Sequence, residues 1–108
     1  MSDLIRIHTT AASEQEATAI ARKLLELKLV ACVQVSGPVT SHYCWNGQQE
    51  ESREWCCTIK TTAAAFAAAD SAIREIHSYD VPQIVATPII NASVDYEKWV
   101  AESVNIPI

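Results

Sequence analysis

The side chains in this 108-residue chain best suited to hold a soft or borderline metal ion are three histidines, His8, His42 and His77, and four cysteines, Cys32, Cys44, Cys56 and Cys57. Their spacing forms no C-x-x-C and no H-E-x-x-H motif. His77 is the strongest single metal candidate, since neutral imidazole suits copper and zinc. It also closes a run of helical periodicity, where the macrodipole favours a histidine for reasons unrelated to metal. His42 faces Glu51 if Asn46-Gly47 makes a two-residue turn, and a cross-strand ion pair is the favoured reading there. His8 lies on a strand and is assigned no role. Cys32 fits a small core hydrophobe. In the same register no cysteine faces another, so the four are expected as reduced thiols in a cytosolic protein.

A second group of residues points to a ligand cleft. Lys60 stands in the run Thr58-Ile59-Lys60-Thr61-Thr62 and needs a partner, which Glu54 could be. Trp45 and Tyr79 would supply aromatic walls. Brought together between subunits, Lys60, Glu54, Trp45 and Tyr79 would form a small-molecule cleft. The same groups would serve equally as a structural intersubunit salt bridge. Catalysis finds no support: the chain has no Gly-rich phosphate loop, no nucleophile elbow and no clear acid/base pair. It is therefore expected not to be an enzyme.

Composition narrows the partners. The net charge of −5 makes nucleic acid and anionic membrane poor partners, and no basic stripe is present. With 49% hydrophobic and 19% charged residues, the chain reads as an ordinary globular protein, and its length suits one domain over residues 1–108. No apolar run is long enough to span a membrane, and Met-Ser-Asp-Leu opens without a basic region, so a cytoplasmic location is expected.

The elements that must position these residues centre on the stretch from Val30 to Thr62. Asn46-Gly47 between two β-rich runs is a strong hairpin signal, because both central residues of a type I′ turn need φ > 0. Each arm is roughly 15 residues and would span about 50 Å, against a radius of gyration of about 13 Å for a compact chain of this size. The hairpin overhangs its own domain, and other copies of the chain are the simplest cover. A plain register sets Val33, Val35, Val39, Tyr43 and Trp45 on one face and Trp55, Cys57 and Ile59 on the other. A register break at Gly37-Pro38 resolves this, and burial of both faces in an oligomer is the alternative.

Around the hairpin, Leu4 to Thr10 reads as a strand. Ser13 to Glu16 is a capping box opening a helix to about Lys28, with apolar positions at Ala17, Ile20, Ala21, Leu24 and Leu27. Thr62 is expected to cap a second helix from about Ala63 to His77. Residues 77–82 form a loop, Ile84 to Ile90 a last strand, and Ser93 caps a third helix carrying Tyr96, Trp99 and Val100. The tail from Val104 is expected to be extended. The order β-α-β-β-α-β plus a terminal helix is that of an α+β, ferredoxin-like split βαβ sandwich, with the first and last strands side by side. Thr9 and Thr10 then lie close to His77 and Tyr79, with no cysteine nearby.

The residues that carry a family resemblance are Lys28-Leu29-Val30-Ala31-Cys32, Thr40 to Gly47, Glu54 with Ile59-Lys60-Thr61-Thr62, His77 to Pro82, and Asp95-Tyr96 with Trp99. In this order and spacing the chain resembles the CutA divalent-cation-tolerance proteins, almost end to end. The resemblance implies a ferredoxin-like fold and a cytoplasmic homotrimer built through the long hairpins; Tyr43, Trp45 and Trp55 are expected at its interface, since large aromatics dominate interface energetics. It implies tolerance to copper and other divalent metals, which are bound but not obligatory. It also implies likeness to the trimeric PII signalling proteins, so that a PII-like sensor holding a small molecule in the intersubunit cleft is the alternative function. The chain departs from the family pattern in its proposed copper ligands: Thr9 stands where the family has a cysteine, and His77 is the only histidine of its loop. Gly37-Pro38 also reverses the family's Pro-Gly.

Overall fold

The computed structural model describes residues 3–105. Strand β1 (Leu4–Ala11), helix α1 (Glu14–Glu26), strands β2 (Cys32–Trp45) and β3 (Gln48–Thr62), helix α2 (Phe66–Ile76), strand β4 (Ile84–Pro88) and helix α3 (Val94–Ser103) follow in that order. The strands form one antiparallel sheet in the order β2-β3-β1-β4. This is the expected split βαβ arrangement, with β1 and β4 adjacent. Ile7, Ala11, Cys57 and Ile59 face one side of the sheet and pack with Ala17, Ile20 and Leu24 of α1 and Ala69, Ala72 and Ile73 of α2. On the other side α3 covers one end only, through Leu4, Ala31 and Val100.

Local chemistry explains the ends of the helices. Ser13 caps α1 by accepting from the Glu16 N–H at 3.1 Å. The helix stops two residues short of Lys28 because Lys28 itself takes φ 57, closing a Schellman turn with Lys28 N–H on Leu25 O and Leu29 N–H on Leu24 O. Thr62 does not cap α2 with its side chain. Its neighbour Ala63 donates its N–H to the Asp3 carbonyl at 2.8 Å, and Ala63–Ala65 form a 3₁₀ turn before α2 begins. Strand β4 ends at Pro88, two residues early, as a proline on the sheet edge allows. Ser93 caps α3 as expected, and Val104 is extended; residues 106–108 of the tail lie outside the described residues.

The hairpin turns at Asn46 (φ 52) and Gly47 (φ 77), as a type I′ turn requires. Cross-strand partners run from Trp45↔Gln48 to Val39↔Glu54, then shift and resume as Ser36↔Cys56 and Val33↔Ile59. Gly37 and Pro38 together stand opposite Trp55. This bulge inverts the faces of β2. Val33 and Val35 lie on the helix side with Cys57 and Ile59, while Val39, Tyr43 and Trp45 lie on the opposite side with Glu54 and Glu50. Beyond the end of β1 the two arms continue as a two-stranded ribbon. The longest dimension of the protein is 44 Å, somewhat less than a straight arm would span, because twist and bulge shorten the arms.

Gly37 cannot be replaced freely. Its φ of +148 disfavours a side chain, and a Cβ there would stand 2.9 Å from Trp55 Cδ1 and 3.0 Å from the Glu54 carbonyl. Gly37→Ala is expected to destabilise the fold by about 1–3 kcal/mol, read as a lower urea midpoint with an unchanged slope.

Candidate functional site

Strand β1 ends opposite Trp55, so toward the hairpin tip Glu54 is the first residue of β3 without a β1 partner. There the ribbon and the loop between α2 and β4 enclose a cleft of about 640 Å³. The ribbon contributes Tyr43, Trp45, Glu50 and Glu54, and the loop contributes Tyr79, Asp80 and Val81. Glu54 is only 8% exposed. Its Oε2 accepts from the Tyr79 hydroxyl at 2.7 Å, which ties loop to ribbon. Burial, and then this bond to a carboxylate, push the Tyr79 phenol well above the usual range. Among the described residues, Oε1 of Glu54 has no hydrogen-bond donor and no cation forms an ion pair with Glu54.

The loop is held at three points. His77 Nδ1 accepts from the Tyr79 N–H at 3.1 Å, so in the neutral ring the proton sits on Nε2, which donates to the Thr10 carbonyl at 2.8 Å. The His77 and Tyr79 rings lie 4.9 Å apart. Glu16 supplies the third point. Its Oε1 accepts from Ala12 N–H at 3.1 Å, one residue before the cap, and its Oε2 accepts from Ser78 N–H at 3.0 Å. Burial alone would raise the Glu16 carboxyl, but the hydrogen bonds from Ser78 and Ala12 and the nearby His77 outweigh it and hold the group below its ordinary value. Sequence reasoning saw only the capping half of this residue. A capping glutamate has two oxygens, and the second was free to reach a distant backbone amide.

The predicted residues separate into two sets. Within one chain Glu54, Trp45 and Tyr79 meet in the cleft, and Lys60 of the same chain stands apart from them. Lys60 donates to Gln34 at 3.0 Å, opposite Arg6 and Cys32. It shares a face of β3 with Glu54, but six residues of extended chain put it about 20 Å away. Trp55 packs against the core beneath the bulge, whereas Tyr43 and Trp45, each 46% exposed, are displayed on the ribbon. His42 and Glu51 pair at 3.4 Å, as the register predicts.

The copper reading of His77 fares differently. Both its ring nitrogens are engaged in hydrogen bonds, so the side chain acts as a strut. Thr9 is fully buried on the helix side, and the bond from His77 goes to the Thr10 carbonyl. A cysteine does lie beside Thr9, contrary to expectation: Cys57 is its cross-strand partner. Its thiol donates to the Ala17 carbonyl at 3.6 Å, and burial pushes it up to about 11. Among the described residues, no three His, Cys, Asp or Glu side chains are grouped to hold one ion. All four cysteines are free thiols.

Comparison with known proteins places these features in a family. The model of the family described as "CutA1 divalent ion tolerance protein" matches residues 5–103. The "Divalent-cation tolerance protein CutA" of Thermus thermophilus is 38% identical over 87% of this chain and 91% of its own length. The protein of the same description from Archaeoglobus fulgidus is 38% identical over 91% of this chain and 95% of its own. The solved structure from Archaeoglobus fulgidus, described as a "Periplasmic divalent cation tolerance protein CutA", superposes with a TM-score of 0.91 at 36% identity, covering 94% of this chain and 99% of that one.

Two measurements check the lashing of the loop. Tyr79→Phe leaves Glu54 buried without its donor and is expected to cost about 1–3 kcal/mol in chemical denaturation. For Glu16, the depressed carboxyl stabilises the fold above the ordinary value of 4.5, and this contribution disappears as pH falls through the lowered value. The gap in melting temperature between wild type and Glu16→Gln should therefore be constant near neutral pH and close in acid.

Proposed function

The chain belongs to the CutA1 divalent ion tolerance protein family, and on that premise we propose that it works as a cytoplasmic homotrimer that binds or responds to divalent metal ions, copper first. The observation that carries this reading is the family match across residues 5–103, on a fold that superposes on the solved structure from Archaeoglobus fulgidus with a TM-score of 0.91. It is a binding protein and not an enzyme in this reading. The trimer is supported by what one chain leaves open. Val35, Val39, Tyr43 and Trp45 are exposed along β2, and the arms of the ribbon present unpaired edges. Copies of the chain exchanging such edges around a three-fold axis would bury both. Four free thiols, including exposed Cys44, suit a reducing compartment. No helix among the described residues is long and apolar enough to cross a membrane.

The residues of a single chain do not fit a copper centre. His77 has no free lone pair, Thr9 offers a buried hydroxyl in place of a thiolate, and no third ligand accompanies them. The metal response is therefore assigned to the assembly and not to a ligand set around His77. A second reading, a PII-like sensor holding a small molecule, is favoured by the aromatic-walled cleft of about 640 Å³.

Native mass spectrometry with and without one equivalent of Cu(II) per chain tests the first reading. A trimer with saturable uptake that His77→Ala leaves unchanged is the expected result. A monomer would overturn the assembly, and uptake abolished by His77→Ala would overturn the strut assignment.

A further inference from the structure

One face of the molecule runs from the sheet onto the ribbon, and its two ends carry opposite charge. The side of the sheet away from α1 and α2 is covered by α3 at one end only. The uncovered part sets Lys60 of β3 directly opposite Arg6 of β1, with His8 on the same side of β1. Like charges facing each other across a ladder are destabilising until a group of opposite sign meets them. Within one chain that group is missing. Lys60 donates to the neutral amide of Gln34, and among the described residues neither Lys60 nor Arg6 forms an ion pair. No aspartate or glutamate occupies this side of the four strands between Lys60 and Glu54.

The ribbon end of the same face is the reverse. Tyr43 and Trp45, each 46% exposed, stand there with Val39, Glu50 and Glu54, and with no lysine or arginine. Glu54 is buried and held by Tyr79. Glu50 is exposed, and among the described residues it forms no ion pair. From Glu50 to Lys60, β3 runs about 33 Å in extended form, so the two cannot meet within one chain. Apolar surface is matched as well as charge. Val85 of β4, opposite His8, stands exposed on the uncovered sheet face and offers an aliphatic contact for an aromatic ring.

We propose that the uncovered sheet face seats the ribbon of a second copy of this chain, with Glu50 of that copy against Lys60 and Arg6, and its Tyr43 and Trp45 laid on the sheet beside them. This rests on the trimeric reading and specifies which faces meet. Copies stacked in register would set acid on acid and base on base. A ribbon on the next copy's sheet pairs the charges instead, and head-to-tail contacts of this kind generate a ring when the rotation closes. Charge complementarity then fixes the register of the contact. Glu50 also lines the cleft, so Lys60 of the next copy brings to that site the cation that one chain keeps away from it.

Zero-length carbodiimide cross-linking of the full chain, mixed from unlabelled and isotope-labelled copies, tests the contact, and native mass spectrometry reads the stoichiometry. An amide joining Lys60 of one copy to Glu50 of another is expected, in a trimer. A trimer in which that link is absent overturns the proposal and leaves the trimeric reading standing. A dimer carrying the link supports the contact and overturns the trimer. A monomer at micromolar concentration overturns both. Lys60→Glu and Glu50→Lys should each weaken assembly by about tenfold or more, and the two combined in one chain should restore it. Glu51→Lys, on the other ribbon face, should leave it unchanged. A combined variant that assembles no better than either single one, or an equal loss in Glu51→Lys, would overturn the pairing.

Discussion

The bulge at Gly37-Pro38 is the constraint on which the rest of the structure depends. An unbroken β2 would set Val33 and Val35 on the same face as Val39, Tyr43 and Trp45, so Val33 could not pack against the core while the last three stand beside Glu54. One extra residue opposite Trp55 turns the strand over. Below the bulge β2 completes the core under α1 and α2; above it the strand shows its aromatic side to the cleft. Glycine makes this possible, since the φ of +148 and the proximity of the Trp55 ring exclude a side chain. Trp55 fills the space that the turned strand leaves, which is why this aromatic belongs to the core and Trp45 does not.

The cleft has a second wall only because the loop after α2 is tied down. Glu16, at the start of α1, reaches the Ser78 amide; His77 bridges the Thr10 carbonyl and the Tyr79 amide; Tyr79 reaches Glu54 on the ribbon. Three elements far apart in sequence are joined through polar groups with little apolar packing. Such a joint is directional and charge-dependent, unlike the aliphatic core beneath it. The arrangement also explains why a histidine in this loop need not be a ligand. With one ring nitrogen donating and the other accepting, its chemistry is spent on holding backbone.

Family membership and the chain's own side chains speak to different questions. The match over residues 5–103 settles the fold and the association with divalent ion tolerance. The chain's own side chains bear on the metal: a buried Thr9 and an engaged His77 argue against a copper centre within one chain. The exposed apolar residues of the ribbon connect the two, because they are the surface through which the proposed trimer would assemble.

Much of this was legible in the sequence. Strand and helix periodicity, the Asn46-Gly47 turn, the Ser13 and Ser93 caps and the register break at Gly37-Pro38 are local or alternating signals, and they carry the order β-α-β-β-α-β directly into the sheet order β2-β3-β1-β4. Neighbouring strands then placed His77 beside Thr10 and Tyr79. The identity of partners was not legible. Lys60 and Glu54 look adjacent in the chain, but extended backbone separates them and Gln34 receives the lysine. His77 and Glu16 bind backbone carbonyls and amides, which every residue possesses and no sequence pattern marks. Periodicity is written in side-chain type, so the sequence alone determined the architecture. Which groups satisfy one another depends on distance and direction in space, and only the tertiary structure decided that.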